Sequence, residues 1–141
     1  MGENYLDHVV INVKDDMDLA QLVFSNLGFT LTPRGYHTLG SINHLMMFGS
    51  DYMELIRFPE HGVANNPNAR PDLTTAPFGI NGVGFKSSDV DKTFEKLVEL
   101  EMDGDPPKSF SRPVELDGRK TDAKFRAVTV RAGVFPEGRV Y

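Results

Sequence analysis

The chain has 141 residues, a net charge of −5 and no cysteine. That length suits one domain with a proper core, or two small modules packed together. The missing cysteine excludes disulfides, thiolate catalysis and zinc–thiolate sites. The acidic balance, without a basic cluster, argues against a phosphate-backbone surface, so no nucleic-acid partner is expected. No apolar run approaches the roughly 20 residues of a membrane span, and MGENYLD lacks the basic-then-apolar layout of a signal peptide. A soluble, cytoplasmic protein with no membrane partner is the expectation.

Leu6 to Val13, LDHVVINV, is a near-continuous apolar strand with one histidine, His8. KDDMDLAQLVFSNLGF follows as a helix. Asp15 or Asp16 is placed to cap it, and Asp18 adds negative charge in the first turn. Met17, Ala20, Val23, Phe24 and Leu27 form its apolar face, and Gly28 supplies a left-handed stop. Phe29 to Thr32 is a modest strand candidate ended by Pro33, and RGYHTLGS reads as a loop or a strand edge. Ile42 to Phe48 is a strand, Gly49 to Asp51 a tight turn, and Tyr52 to Phe58 the returning strand.

Residues 59–78 break the pattern, with four prolines and three asparagines, and read as a linker or a lid. A second round then begins. Ile80 to Ser87 is a strand, and SSDVDKTFEKLVELEM a helix with Ser88 and Asp91 spaced as a capping box. Val90, Phe94, Leu97 and Val98 make its apolar face. Lys108 to Leu116 is a strand demoted in its middle by Pro113, Asp117-Gly118 a hairpin turn, and Ala123 to Ala132 a long alternating strand. A shift of 74 residues lays one round on the other, setting His8 on Gly82 and Asp15 on Asp89. Arg139 to Tyr141 looks like the opening of a last strand, cut short.

Strand periodicity puts His8, Val10 and Asn12 on one face and Val9, Ile11 and Val13 on the other. The second set suits the helix, so His8 and Asn12 face whatever the sheet encloses. Glu54 lies between Met53 and Leu55 and joins His8 on the far side with Tyr52. A carboxylate there is costly to bury unless it is paired or metal-bound. The bland readings stay open: a structural histidine, and an exposed sheet face. One histidine and one carboxylate on a concave face suit a divalent ion such as zinc, iron, manganese or nickel. Two ligands are too few, and His44 is the nearest third candidate. With a three-residue turn, His44 pairs with Ile56 and shares the face of Glu54; a one-residue change in the turn reverses this. His37 lies in a loop and His61 in solvent.

The stretches LDHVVINVKD, SNLGF, TPRGYHTLGSINHLMMFGSDYMELI and GINGVGFKSSDVD together resemble the vicinal oxygen chelate superfamily, in particular its glyoxalase-like members. The first half carries the specific likeness; the second matches mainly in layout. The resemblance implies an α+β fold: two βαβββ modules forming a curled, cup-shaped mixed sheet with helices outside, the last strand of module two truncated. The modules would span 1–58 and 79–141, joined by 59–78. A metal usually sits in such a cup, held by the first and last strands of each module. His8 matches the first-strand ligand of module one and Glu54 the last-strand ligand. Gly82 takes the first-strand position of module two and cannot ligate. The last-strand position is expected beyond Tyr141. A longer chain, or a homodimeric partner, would then complete the site. The implied function is that of a metal-dependent lyase, isomerase or dioxygenase acting on a small oxygen-rich organic molecule. Glu54 would be ligand and base, and Asn12, Asn43, His44 and Tyr52 the substrate contacts. The alternative is a metal-free protein that binds or sequesters a small molecule; an interaction domain is the third reading.

Overall fold

A computed structural model describes residues 5–58, 73, 75–135 and 138–141. Most of the expected linker or lid therefore lies outside the described residues. Among the described residues eight strands and two helices follow one another: β1 (Tyr5–Asn12), α1 (Met17–Asn26), β2 (Gly35–Tyr36), β3 (Ile42–Phe48), β4 (Asp51–Arg57), β5 (Gly79–Lys86), α2 (Val90–Glu99), β6 (Lys108–Leu116), β7 (Arg119–Ala127) and β8 (Arg139–Val140). Six strands form one mixed sheet in the order β2-β3-β4-β1-β5-β8, and β6-β7 form a separate hairpin. This is the α+β curled-sheet fold expected from the sequence. Among the described residues no helix is long and apolar enough to cross a membrane.

The repeat is written into the strand pairing. β1 and β5 run antiparallel with Val9 opposite Val83. The flanking pairs, Val10–Gly82 and His8–Gly84, exchange under the 74-residue shift. A local two-fold axis therefore passes through the Val9–Val83 pair. β4 lies parallel to β1 with Tyr52 beside His8, and β8 lies parallel to β5 with Arg139 beside Gly82. Counting on from those pairs, Tyr141 occupies the place in the second round that Glu54 holds in the first. The expectation that this position falls beyond Tyr141 is thus corrected; the difference comes from loop lengths, which the 74-residue shift does not track.

The main core lies between the sheet and α1. Ile11, Val13, Met17, Ala20, Met46 and Leu55 are buried there, with Phe24, Phe29 and Met53 packed against them. Burying such side chains stabilises the fold by about 1.5–3 kcal/mol each. The helix turns a narrower face inward than its apolar periodicity suggests, for Val23 and Leu27 are exposed. Asp16 sits at its N-cap without a side-chain bond, while Asp15 pairs with Arg57 instead. Gly28 ends it with a φ of 96°, a value that costs glycine little. α2 is capped by Asp89, whose carboxylate accepts from the Lys92 N–H at 3.1 Å. The cap is therefore one residue beyond Ser88.

Three further expectations shift. Phe29 to Thr32 forms no strand; Thr32 is tied to Leu45 by single bonds before Pro33 turns the chain. The last long strand runs over Arg119–Ala127 rather than 123–132. Its partner β6 begins at Lys108, paired with Ala127, because Pro106 and Pro107 offer no N–H to extend the ladder. Beyond it, Val130 turns to β8 and donates its N–H to the Val140 carbonyl. The third shift is the β3–β4 turn. It has two residues, Gly49 and Ser50, with Phe48 paired to Asp51 and Gly49 at a φ of 83°. Glycine at the first position of a two-residue hairpin turn is the II′ arrangement.

Candidate functional site

That turn decides which side chains meet. One residue fewer in the loop moves every β3 side chain to the opposite face. Asn43 now pairs with Ile56, and His44 with Leu55. Asn43 and Leu45 enter the concave side with Glu54, and His44 enters the core side with Met46 and Leu55. The expected placement of His44 is corrected accordingly. Its ring is 2% exposed. Its Nδ1 bonds the Thr32 carbonyl at 2.8 Å, and its Nε2 accepts from the Arg34 Nε at 3.3 Å.

The concave side holds a cavity of about 990 Å³. β1, β3 and β4 supply its floor through His8, Val10, Asn43, Leu45, Tyr52, Glu54 and Ile56. The β6–β7 hairpin supplies the facing wall through Phe110, Arg112, Phe125 and Ala127. The hairpin is tied to the rest of the fold at two places. Thr38 and Ser111 exchange two hydrogen bonds beside β2, and Arg126 pairs with both carboxylate oxygens of Asp91 on α2.

At the cavity floor, His8 and Glu54 converge from neighbouring strands. His8 Nε2 stands 3.8 Å from Glu54 Oε2. Each is fixed from behind. His8 Nδ1 donates to Asp7 Oδ2 at 2.8 Å, since an ionised carboxylate can only accept. That leaves Nε2 turned to Glu54 and the cavity. Glu54, 7% exposed, accepts from Asn43 Nδ2 at 2.6 Å. Tyr52 stacks on the His8 ring at 4.8 Å with an angle of 4° between planes. Burial, with Glu54 and Asp7 nearby, pushes the Tyr52 phenol well up, so it stays a neutral O–H. Tyr141 flanks the other side of His8 at 6.2 Å between ring centroids.

Glycines make this packing feasible. A methyl group on Gly84 would overlap His8 Cε1 and stand 2.5 Å from Nδ1. One on Gly82 would stand 3.1 Å from the Tyr141 ring and 2.9 Å from the Val10 Cβ. The position symmetric to His8 is therefore small because the rings of the site need its space.

Several cavity residues escaped the sequence reading, Asp7 and Arg112 among them. Asp7 adjoins His8, and neighbours on a regular strand face opposite ways. The β1–β5 register slips between Leu6 and His8, however, so Asp7 is an inserted bulge residue. It lines the cavity beside His8, the kind of re-aiming that bulges produce. Arg112 was hidden because β6 follows no part of the first-round pattern closely; only the fold brings it opposite Glu54. By contrast, Asn12 shares the face of His8 but does not line the cavity. Its Nδ2 donates to the Leu73 carbonyl at 2.8 Å, and its Oδ1 accepts from the Lys14 N–H.

The donor set can be tested against a divalent ion. The 3.8 Å between His8 Nε2 and Glu54 Oε2 lets both atoms lie about 2.1 Å from a common ion, at an angle of about 130° that is wider than tetrahedral. The bond from His8 to Asp7 is the supporting contact that metal-bound histidines usually have. Yet among the described residues no three His, Asp or Glu side chains are placed to hold one ion together. Two corners of a coordination shell fit, and the symmetric positions are Gly82 and Tyr141.

The comparisons with known proteins agree with this architecture. Among curated proteins none matches the sequence. A hypothetical protein from Staphylococcus aureus superposes with a TM-score of 0.71 at 14% identity, covering 98% of this chain and 58% of its own. Methylmalonyl-CoA epimerase from Mycobacterium tuberculosis gives 0.61 at 21% identity, covering 96% and 83%. A 4-hydroxymandelate synthase variant from Streptomyces coelicolor gives 0.61 at 18% identity, covering 99% of this chain and 38% of that one. This chain thus spans only part of some of these structures, and at such identities the likeness is one of fold. The family described as "Glyoxalase-like domain" matches residues 6–141. The chain belongs to the glyoxalase-like domain family.

Proposed function

We propose that the cavity takes a small, oxygen-rich organic molecule and that the protein acts on it as a metal-dependent lyase, isomerase or dioxygenase. The observation that carries this reading is the convergence of His8 Nε2 and Glu54 Oε2 at 3.8 Å on the cavity floor. His8 and Glu54 would hold the ion, with substrate oxygens or water completing its shell. A zinc, iron, manganese or nickel ion there would polarise a substrate carbonyl or hydroxyl and steady the negative charge that forms. Asp7 keeps His8 in the tautomer that presents Nε2, and Asn43 keeps Glu54 in place. Glu54 would also accept a proton when not fully engaged as a ligand. Tyr52, as a neutral phenol, can donate a hydrogen bond to a substrate oxygen.

A second reading has its own support. Gly82 and Tyr141 stand where the symmetric ligands would be, which favours a metal-free protein that binds or sequesters a small molecule. Divalent-ion titration of the full chain by calorimetry, paired with elemental analysis, separates the two. The metal-dependent reading expects about one ion per chain, with binding lost in His8→Ala and Glu54→Ala. Absence of stoichiometric binding, or binding that both variants retain, sinks it.

A further inference from the structure

Arg112 is a buried cation that faces Glu54 but forms no ion pair with it. It lines the cavity and is 9% exposed. Among the described residues no carboxylate lies within 4.0 Å of its guanidinium. Its one hydrogen bond to a described residue runs from Nη2 to the Pro33 carbonyl at 3.3 Å, and its Nε has no partner. A charge so placed is strongly disfavoured unless an anion joins it. Burial does hold the group below its ordinary value, with Glu54 and Tyr52 opposing, but an arginine does not give up its proton in a protein.

The fold goes out of its way to keep the cation there. A methyl group on Gly35 would overlap both Arg112 Nε and Asn43 Oδ1 and stand 2.5 Å from Arg112 Cζ. The guanidinium is thus packed against a glycine, beside the asparagine that holds Glu54. Next to it on the same wall, Phe110 and Phe125 stack at 5.3 Å and face the cavity. The wall therefore offers a fixed cation with an aromatic surface alongside.

We propose that Arg112 anchors a carboxylate-binding subsite, and that the ligand of this cavity is a small monocarboxylate with an apolar body. The carboxylate accepts a charge-assisted hydrogen bond from Nη1, since Nε is packed against Gly35 and Nη2 is engaged by Pro33. The apolar body rests on Phe110 and Phe125, and the carbons next to the carboxylate reach toward His8 and Glu54. This rests on the reading of the cavity as a small-molecule site and is independent of any metal.

Benzoate and its neutral isostere benzamide are the probes, titrated into the full chain and into Arg112→Met by calorimetry. The expected result is a preference for benzoate of at least tenfold in the wild-type chain, abolished in Arg112→Met. The side-chain Nε–H signal of Arg112 in the ¹H–¹⁵N spectrum of the wild-type chain gives a second measurement that needs no variant: benzoate should shift it and benzamide should not. Equal binding of the two probes, no binding of benzoate, an unmoved Nε–H signal, or a preference that survives in Arg112→Met overturns the proposal. The divalent-ion titration is unaffected by any of these outcomes, so the subsite and the metal-dependent reading can each fail alone.

Discussion

Gly84→Ala tests how His8 is held without touching His8. The new methyl group would overlap His8 Cε1 and stand 2.5 Å from Nδ1 and 3.1 Å from Nε2. Ordinary contact begins near 3.4 Å, so the ring must move by about an ångström. It has little room. Tyr52 is stacked on one face at 4.8 Å, and Asp7 holds Nδ1 at 2.8 Å. Overpacking of this kind costs about 1–3 kcal/mol. Alanine recovers about 0.4–1 kcal/mol by restricting the unfolded chain, and Gly84 is not among the positive-φ glycines, so no backbone strain is added. The net expectation is a loss of about 1–2 kcal/mol. In His8→Ala the ring is gone and the methyl group fits. Urea unfolding of the two single variants and the double variant should therefore show a favourable coupling of about 1 kcal/mol or more. Additive effects within about 0.5 kcal/mol would show that His8 does not lie against Gly84, and the account of the site would fall with it. Where the chain binds a divalent ion, Gly84→Ala should weaken it about 10–100-fold through the displaced ligand.

The other predictions concern the core and the titrating groups. Leu55→Ala empties a fully buried position in the main core; unfolding should show a loss of about 2–5 kcal/mol, and a loss below 1 would contradict the packing. Tyr52 has a raised pKa, so its contribution to stability is present in full below the ordinary phenol value of 10.0 and is lost as pH rises above it. Unfolding measured from pH 9 to 11 should fall more steeply in the wild-type chain than in Tyr52→Phe, by at most about 1.4 kcal/mol per pH unit; parallel curves would refute the burial of the phenol. Asp89 behaves in the opposite sense. The Lys92 N–H holds its carboxyl below the ordinary 3.8, so its contribution is present above that value and is lost as pH falls through the lowered one. Asp89→Asn should keep the α2 cap and flatten the acid limb of a stability profile; an unchanged limb would show that the carboxylate is not the capping group.

How far the sequence reaches is visible in single residues. Alternation in LDHVVINV and YMELI set His8 and Glu54 on one face and Val9, Ile11, Met53 and Leu55 on the other, since the period of a strand is two and one face must pack on a helix. The 74-residue repeat was legible too, and the Val9–Val83 pairing realises it. What local pattern could not supply were the features that depend on a count or a crossing. The length of the turn at Gly49 decided between Asn43 and His44 as the neighbour of Glu54. The bulge at Asp7 depends on a partner strand more than 70 residues away, so no local period reports it. Tyr141 met His8, and Arg112 met Gly35, only because distant strands were brought onto one cavity. The sequence by itself determined the inward faces of β1 and β4 and the His8–Glu54 pair, because burial imposes a period on the chain. Tertiary structure alone decided which charges and rings share the cavity with them, because register and loop closure set those distances.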